Sequence, residues 1–114
     1  MTIKIIKDTI SKKELTDIAK NQFGDLVKAV VDVKKEIMAV GGELHADEEA
    51  LLLQNGSRQE NLWGMNIYPN NPEENRIEFD SVINIRPSQN NKSRSVESLD
   101  IQRKIRDIVN RLIL

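Results

Sequence analysis

Gly41-Gly42-Glu43-Leu44-His45-Ala46-Asp47-Glu48-Glu49 stands between an apolar run, Ile37 to Val40, and a leucine-rich segment, Ala50 to Leu53. It reads as the passage from a strand through a turn into a helix. The paired glycines reach backbone angles closed to other residues, which suits a turn and equally permits close approach of a ligand or another strand. Asp47, Glu48 and Glu49 fall in the first turn, where the positive end of the helix dipole favours carboxylates. Asn55-Gly56 stops the helix, giving it a span from about Ala46 to Gln54. Its leucines are consecutive rather than periodic, so burial on more than one side, or packing at a subunit contact, is expected. His45 is the chain's single histidine.

Upstream of this stretch, Leu26 to Val33 and Ile37 to Val40 are the arms of a hairpin whose charged tip is Asp32-Val33-Lys34-Lys35-Glu36. Before the hairpin, Ser11-Lys12-Lys13-Glu14 has the capping-box spacing, with Ile10 and Leu15 as the accompanying apolar staple. Leu15, Ile18, Ala19, Gln22 and Phe23 then form one helical stripe that Gly24 closes. Ile3, Ile5 and Ile6 make a short first strand.

Downstream, Leu62 to Tyr68 alternates, with Trp63, Met65 and Ile67 on one face and Gly64, Asn66 and Tyr68 on the other. The turn formers of Pro69 to Asn75 join it to a second strand expected over Arg76 to Arg86. On that strand Ile77, Phe79, Ser81, Ile83 and Ile85 face the core, and Arg76, Glu78, Asp80, Val82, Asn84 and Arg86 lie opposite. Pro87 to Ser95 cannot build core, so it is either mobile or ordered by what it binds. In the last helix, from about Ser98 to Ile113, Ile101, Ile105, Ile108 and Leu112 repeat at spacings of four, three and four. The expected fold is therefore α+β, in the order β-α-β-β-α-β-β-α, with a mostly antiparallel sheet of about five strands and three helices mainly on one face.

Gly41 to Leu53, together with Asn61-Leu62-Trp63-Gly64, Asn66-Ile67-Tyr68-Pro69, Ile77-Glu78-Phe79-Asp80-Ser81 and Asn84-Ile85-Arg86-Pro87-Ser88-Gln89, resembles a family of small prokaryotic proteins of unknown function. The likeness covers nearly the whole chain. It implies an uncharacterised domain, with no activity, cofactor or catalytic residue to carry over.

Composition sets further bounds. At 114 residues the chain fits one domain, 1–114, with enough length for a real core. Lys plus Arg number 17 against 18 Asp plus Glu, so no overall field draws nucleic acid or an anionic membrane. With no cysteine there is no disulfide framework, thiolate zinc site or cysteine nucleophile, which fits a cytoplasmic protein. Charges break the N-terminal apolar run too early for a signal peptide, and nothing reaches membrane-spanning length. Phe23, Trp63, Tyr68 and Phe79 are the only aromatics, and with three of them expected in the core, nucleic acid lacks a stacking platform.

No motif of known mechanism is present. One histidine beside Glu43 and Asp47 does not complete a zinc site, so no metal and no cofactor is expected, and His45 is read either as a cap or packing residue or as a catalytic or ligand group. No serine has the glycine flanks of a nucleophile elbow, and Gly41-Gly42 lacks the lysine and hydroxyl of a P-loop. Charge is polarised all the same. Arg86, Lys92, Arg94, Arg103, Lys104 and Arg106 outnumber Glu97 and Asp100 near the C-terminus, whereas acids prevail from Glu43 to Glu60. The expected function is a binding module for a small anion, with Asn66, Asn84 and Arg86 on the sheet face and Gln89 and Arg94 on the 86–95 loop, and with His45 as a further candidate. Its enzymatic version uses His45 or Asp80 as acid or base. The alternative is a homo-oligomeric interaction domain. Leu51, Leu52 and Leu53 with Ile105, Ile108, Val109, Leu112, Ile113 and Leu114 exceed what one face of a small sheet needs, and a homodimer through the C-terminal helix would cover them.

Overall fold

In a computed structural model of the chain, which describes residues 2–114, five strands form one sheet in the order β1-β3-β2-β4-β5. The strands are β1 (Lys4–Ile6), β2 (Val27–Asp32), β3 (Ile37–Val40), β4 (Leu62–Ile67) and β5 (Ile77–Glu78), and each neighbouring pair is antiparallel. Helices α1 (Lys12–Asn21), α2 (His45–Gln54) and α3 (Leu99–Leu112) complete an α+β fold in the expected order.

Local chemistry sets these boundaries. Ser11 caps α1 by accepting from the Glu14 amide at 3.0 Å, and both staple residues, Ile10 and Leu15, are buried. The β2–β3 hairpin has no Asn-Gly turn. Its tip is tied instead by Asp32, whose Oδ1 accepts from the Lys34 and Lys35 amides at 2.9 Å each while Oδ2 accepts from the Ser57 hydroxyl at 2.7 Å.

Alternation then sorts the sheet into two faces. Val27, Ala29 and Val31 of β2, with Trp63, Met65 and Ile67 of β4, pack under α1 and α3, whose Leu15, Ala19, Ile105, Ile108, Val109 and Leu112 are all buried. On the opposite face Val30, Ala39 and Leu62 meet Leu52 of α2. Two of the three helices thus share one face and α2 covers the other. Each fully buried aliphatic side chain of α3 contributes about 1.5–3 kcal/mol by leaving water. The C-terminus is built into the same core, because Ile10 donates to the Leu112 carbonyl at 2.8 Å and accepts from the Leu114 amide at 2.9 Å. The apolar surplus that argues for a homodimer is therefore largely consumed within the chain, leaving Leu53 and Leu114 as its exposed members.

Three local expectations are corrected. The strand expected over Arg76 to Arg86 ends at Glu78; beyond it the chain turns into a 3-10 segment, Val82–Asn84, whose start is capped by Ser81 Oγ accepting from the Ile83 amide at 3.3 Å. Side chains replace the missing ladder. Gly64 donates to Asn84 Oδ1 at 2.8 Å, Asn84 Nδ2 returns a bond to the Gly64 carbonyl at 2.9 Å, and the Arg86 guanidinium donates to the Leu62 carbonyl. Next, Leu44 is the N-cap residue of α2 and His45 its first helical residue, so His45 is no cap. Finally, the buried residues of α2 are His45, Glu48 and Leu52, a stripe at helical spacing that turns two polar side chains into the fold and leaves Leu53 outside. Glu48 is consequently no solvated partner of the helix dipole.

Candidate functional site

Six residues are expected at the site, and the structure gives four of them other work. Asn84 is fully buried; besides its bonds to Gly64, its Nδ2 donates to the Arg94 carbonyl at 2.9 Å. Arg86 is buried as well. Its guanidinium lies 4.3 Å from the Trp63 ring centre, with Nη1 donating to the Gln59 carbonyl at 2.6 Å and to Gln89 Oε1 at 2.9 Å, and Nε to the Ile83 carbonyl at 3.2 Å. This is a clamp across the sheet edge. Gln89 is held there too, since its Nε2 donates to the Glu60 carbonyl at 2.9 Å. Asn66 gives its Nδ2 to Glu78 at 2.9 Å, and the Tyr68 hydroxyl meets the same carboxylate oxygen at 3.3 Å.

The loop that follows is ordered by its own residues. Asn91 Nδ2 donates to the carbonyls of Asn84, Ser93 and Ser95, and its Oδ1 accepts from the Glu97 amide at 2.9 Å. Glu97 in turn takes the Lys92 and Ser93 amides, at 3.0 and 2.9 Å. The loop does attract an anion, as its composition suggests, but that anion is its own glutamate. Hydrogen bonding from Ser93, then from Lys92, holds the Glu97 carboxyl below the usual carboxylate range.

The remaining two residues, His45 and Arg94, do come together. They line one cavity of about 200 Å³ with Lys28, Leu44, Ala46, Ser81, Val82 and Ile83. Each element brings its share for a local reason. Lys28 lies on the α2 face of β2 because its neighbours Val27 and Ala29 point to the other core. His45 opens α2, and its Nε2 sits 2.8 Å from the Met65 carbonyl, which requires that nitrogen to carry the proton and leaves Nδ1 as the acceptor of a neutral ring. Burial lowers its pKa, and the nearby Lys28 and Arg94 charges lower it further. Arg94 comes from the loop, where its Nε donates to Asp80 at 2.6 Å and leaves the outer guanidinium nitrogens uncommitted among the described residues.

The start of α2 adds a third positive feature. Leu44 offers no oxygen to the first-turn amides, so the helix begins without a side-chain cap. Of the two acidic side chains in its first turn, Asp47 is exposed to water and Glu48 is turned away. Glu48 folds back beneath the glycine pair, where Oε2 accepts from the Gly42 amide at 2.9 Å, and burial pushes its carboxyl up to about 9, so it is neutral at pH 7. This contact also accounts for Gly42, where a Cβ would stand 2.7 Å from Glu48 Cγ; at Gly41, whose φ is +95°, a Cβ would stand 2.9 Å from the Thr2 carbonyl oxygen. Their purpose is close approach of the chain to itself.

Sequence reasoning missed Lys28, Ser81 and the backbone of Leu44 to Ala46. Lys28 carries one available signal, the single cation of a strand that is apolar from Ala29 to Val31. Among the described residues no group of three or more His, Asp or Glu side chains is arranged to hold a metal ion, and no helix is long and apolar enough to cross a membrane. No curated protein and no solved structure matches this chain. The family described as protein of unknown function DUF5674 matches residues 4–112, and with nearly the whole length covered the chain belongs to that family.

Proposed function

We propose that this protein is a binding module for a small anionic molecule, seated in the cavity between Lys28, Arg94 and the start of α2. One observation carries the reading: two cations and an uncapped helix N-terminus converge on a single cavity. Lys28 makes no ion pair among the described residues, so its charge is not already neutralised. Leu44, Val82 and Ile83 form apolar walls, which lower the local dielectric and strengthen each electrostatic contact. Binding is favoured over catalysis because Asp80 is engaged by Arg94, and His45, held through Nε2 by Met65, keeps only an Nδ1 whose basicity burial lowers.

Calorimetric titration with inorganic phosphate, citrate and nucleotides tests the reading. Lys28→Ala and Arg94→Ala are each expected to weaken the best anion about tenfold, the loss of one charge-assisted hydrogen bond. Absence of binding by every anion, or an affinity untouched in the double variant, refutes the proposal.

A further inference from the structure

The anion cavity has a larger neighbour of about 440 Å³, and Lys28 and Leu44 belong to the lining of both. The second cavity differs in chemistry. Its walls include Phe23, which is 42 % exposed, together with Asn21 and Glu43. Neither the Glu43 carboxylate nor the Asn21 amide makes a hydrogen bond or ion pair among the described residues. The Lys28 ammonium lies 5.1 Å from the Phe23 ring centre, so the residue that contributes charge to one cavity also touches the aromatic of the next.

These walls sort a ligand by polarity along its length. Lys28 stands between a positive cavity and a carboxylate-bearing one, so a negative head group belongs on the first side and a hydrogen-donating end on the second. A flat ring satisfies Phe23 by stacking, and an exocyclic amine satisfies Glu43, since carboxylates accept from such amines in base recognition. The two volumes together fall within the usual range for a small-molecule site, about 300–1,000 Å³. The other aromatics do not extend this platform along a polymer. Trp63 is buried, Phe79 is partly buried against the core, and Tyr68 is bonded to Glu78, which leaves the exposed Phe23 as a platform for one base.

We propose, resting on the anion-binding reading above, that the ligand is a nucleoside monophosphate whose base carries an exocyclic amine, with its phosphate at the start of α2 and its base against Phe23. Titration of the full chain with inorganic phosphate, AMP, CMP and UMP tests this. AMP and CMP are expected to bind about tenfold tighter than phosphate alone, the gain from one stacked base. UMP, which has a carbonyl where CMP has the amine, is expected to bind more weakly than CMP. Phe23→Ala should bring AMP down to the affinity of inorganic phosphate, and Glu43→Gln should narrow the difference between CMP and UMP. If phosphate binds and the nucleotides bind no tighter, the base subsite is overturned while the anion cavity stands. UMP equal to CMP overturns the assignment of Glu43 and the amine. If none of the four binds and citrate does, the nucleotide is wrong and the anion cavity survives; if citrate also fails, both readings fall together.

Discussion

Glu48→Gln should raise stability at neutral pH and remove a pH dependence that the parent protein carries. In the folded chain the Glu48 carboxyl titrates at about 9, against 4.5 for the ordinary group. Below pH 4.5 the group is protonated whether the chain is folded or not, and it makes no pH-dependent contribution. Between the two values the unfolded chain releases a proton that the folded chain retains, so stability falls as pH rises, by about 1.4 kcal/mol per unit. From pH 5 to pH 8 this amounts to about 4 kcal/mol, a large share of the 5–15 kcal/mol that holds a typical domain together. Glutamine reproduces the protonated acid: its carbonyl can accept from Gly42, and its amide takes the place of Oε1, which has no hydrogen-bond partner among the described residues of the parent either. His45 works in the opposite sense, because its depressed pKa makes stability rise with pH up to about 6.5. It is present in both proteins and cancels from their difference. Urea denaturation followed by the fluorescence of the single, buried Trp63 at pH 5, 6, 7 and 8 gives that difference directly. Parent and variant should be nearly equal at pH 5 and diverge steadily toward pH 8. Parallel curves across this range would mean that Glu48 is ionised in the folded protein and that the account of its burial is wrong.

Other substitutions probe the sheet edge. Asn84→Ala leaves the Gly64 amide and carbonyl without their partner and the Arg94 carbonyl with the Ser81 amide alone, which should cost on the order of 3 kcal/mol in urea denaturation; a loss below about 1 kcal/mol would show that water or a backbone shift replaces the side chain. Gly64→Ala places a Cβ 2.7 Å from Ser81 Oγ and 3.0 Å from Ile83 Cγ1, so a destabilisation of about 1–3 kcal/mol is expected, and a melting temperature equal to the parent's would contradict so close an approach.

The element order was legible in the sequence because it rests on local rules. Ser11 and Glu14 announce the start of α1, the four-three-four spacing of Ile101, Ile105, Ile108 and Leu112 defines α3, and two-residue alternation marks β4. Each of these signals acts within a few residues, so the chain's own periodicity suffices to read it. The candidate site was legible only in its His45 and Arg94. Asn84 and Arg86 carry the chemistry of ligand-binding residues, and nothing in their neighbourhood says that β5 will stop at Glu78 and leave Gly64 and Leu62 needing partners. Glu48 looks like its acidic neighbours Asp47 and Glu49 until the helix is laid on the sheet, where the stripe shared with His45 and Leu52 turns it inward. The cavity itself has no sequence signature, because residues 28, 45, 81 and 94 meet only when β2, the start of α2 and the two loops are brought together. Sequence determined the elements, whose hydrogen bonds and periodicity are local; tertiary structure decided which polar groups would be spent on one another and which would be left facing a ligand, since that depends on burial and on partners far along the chain.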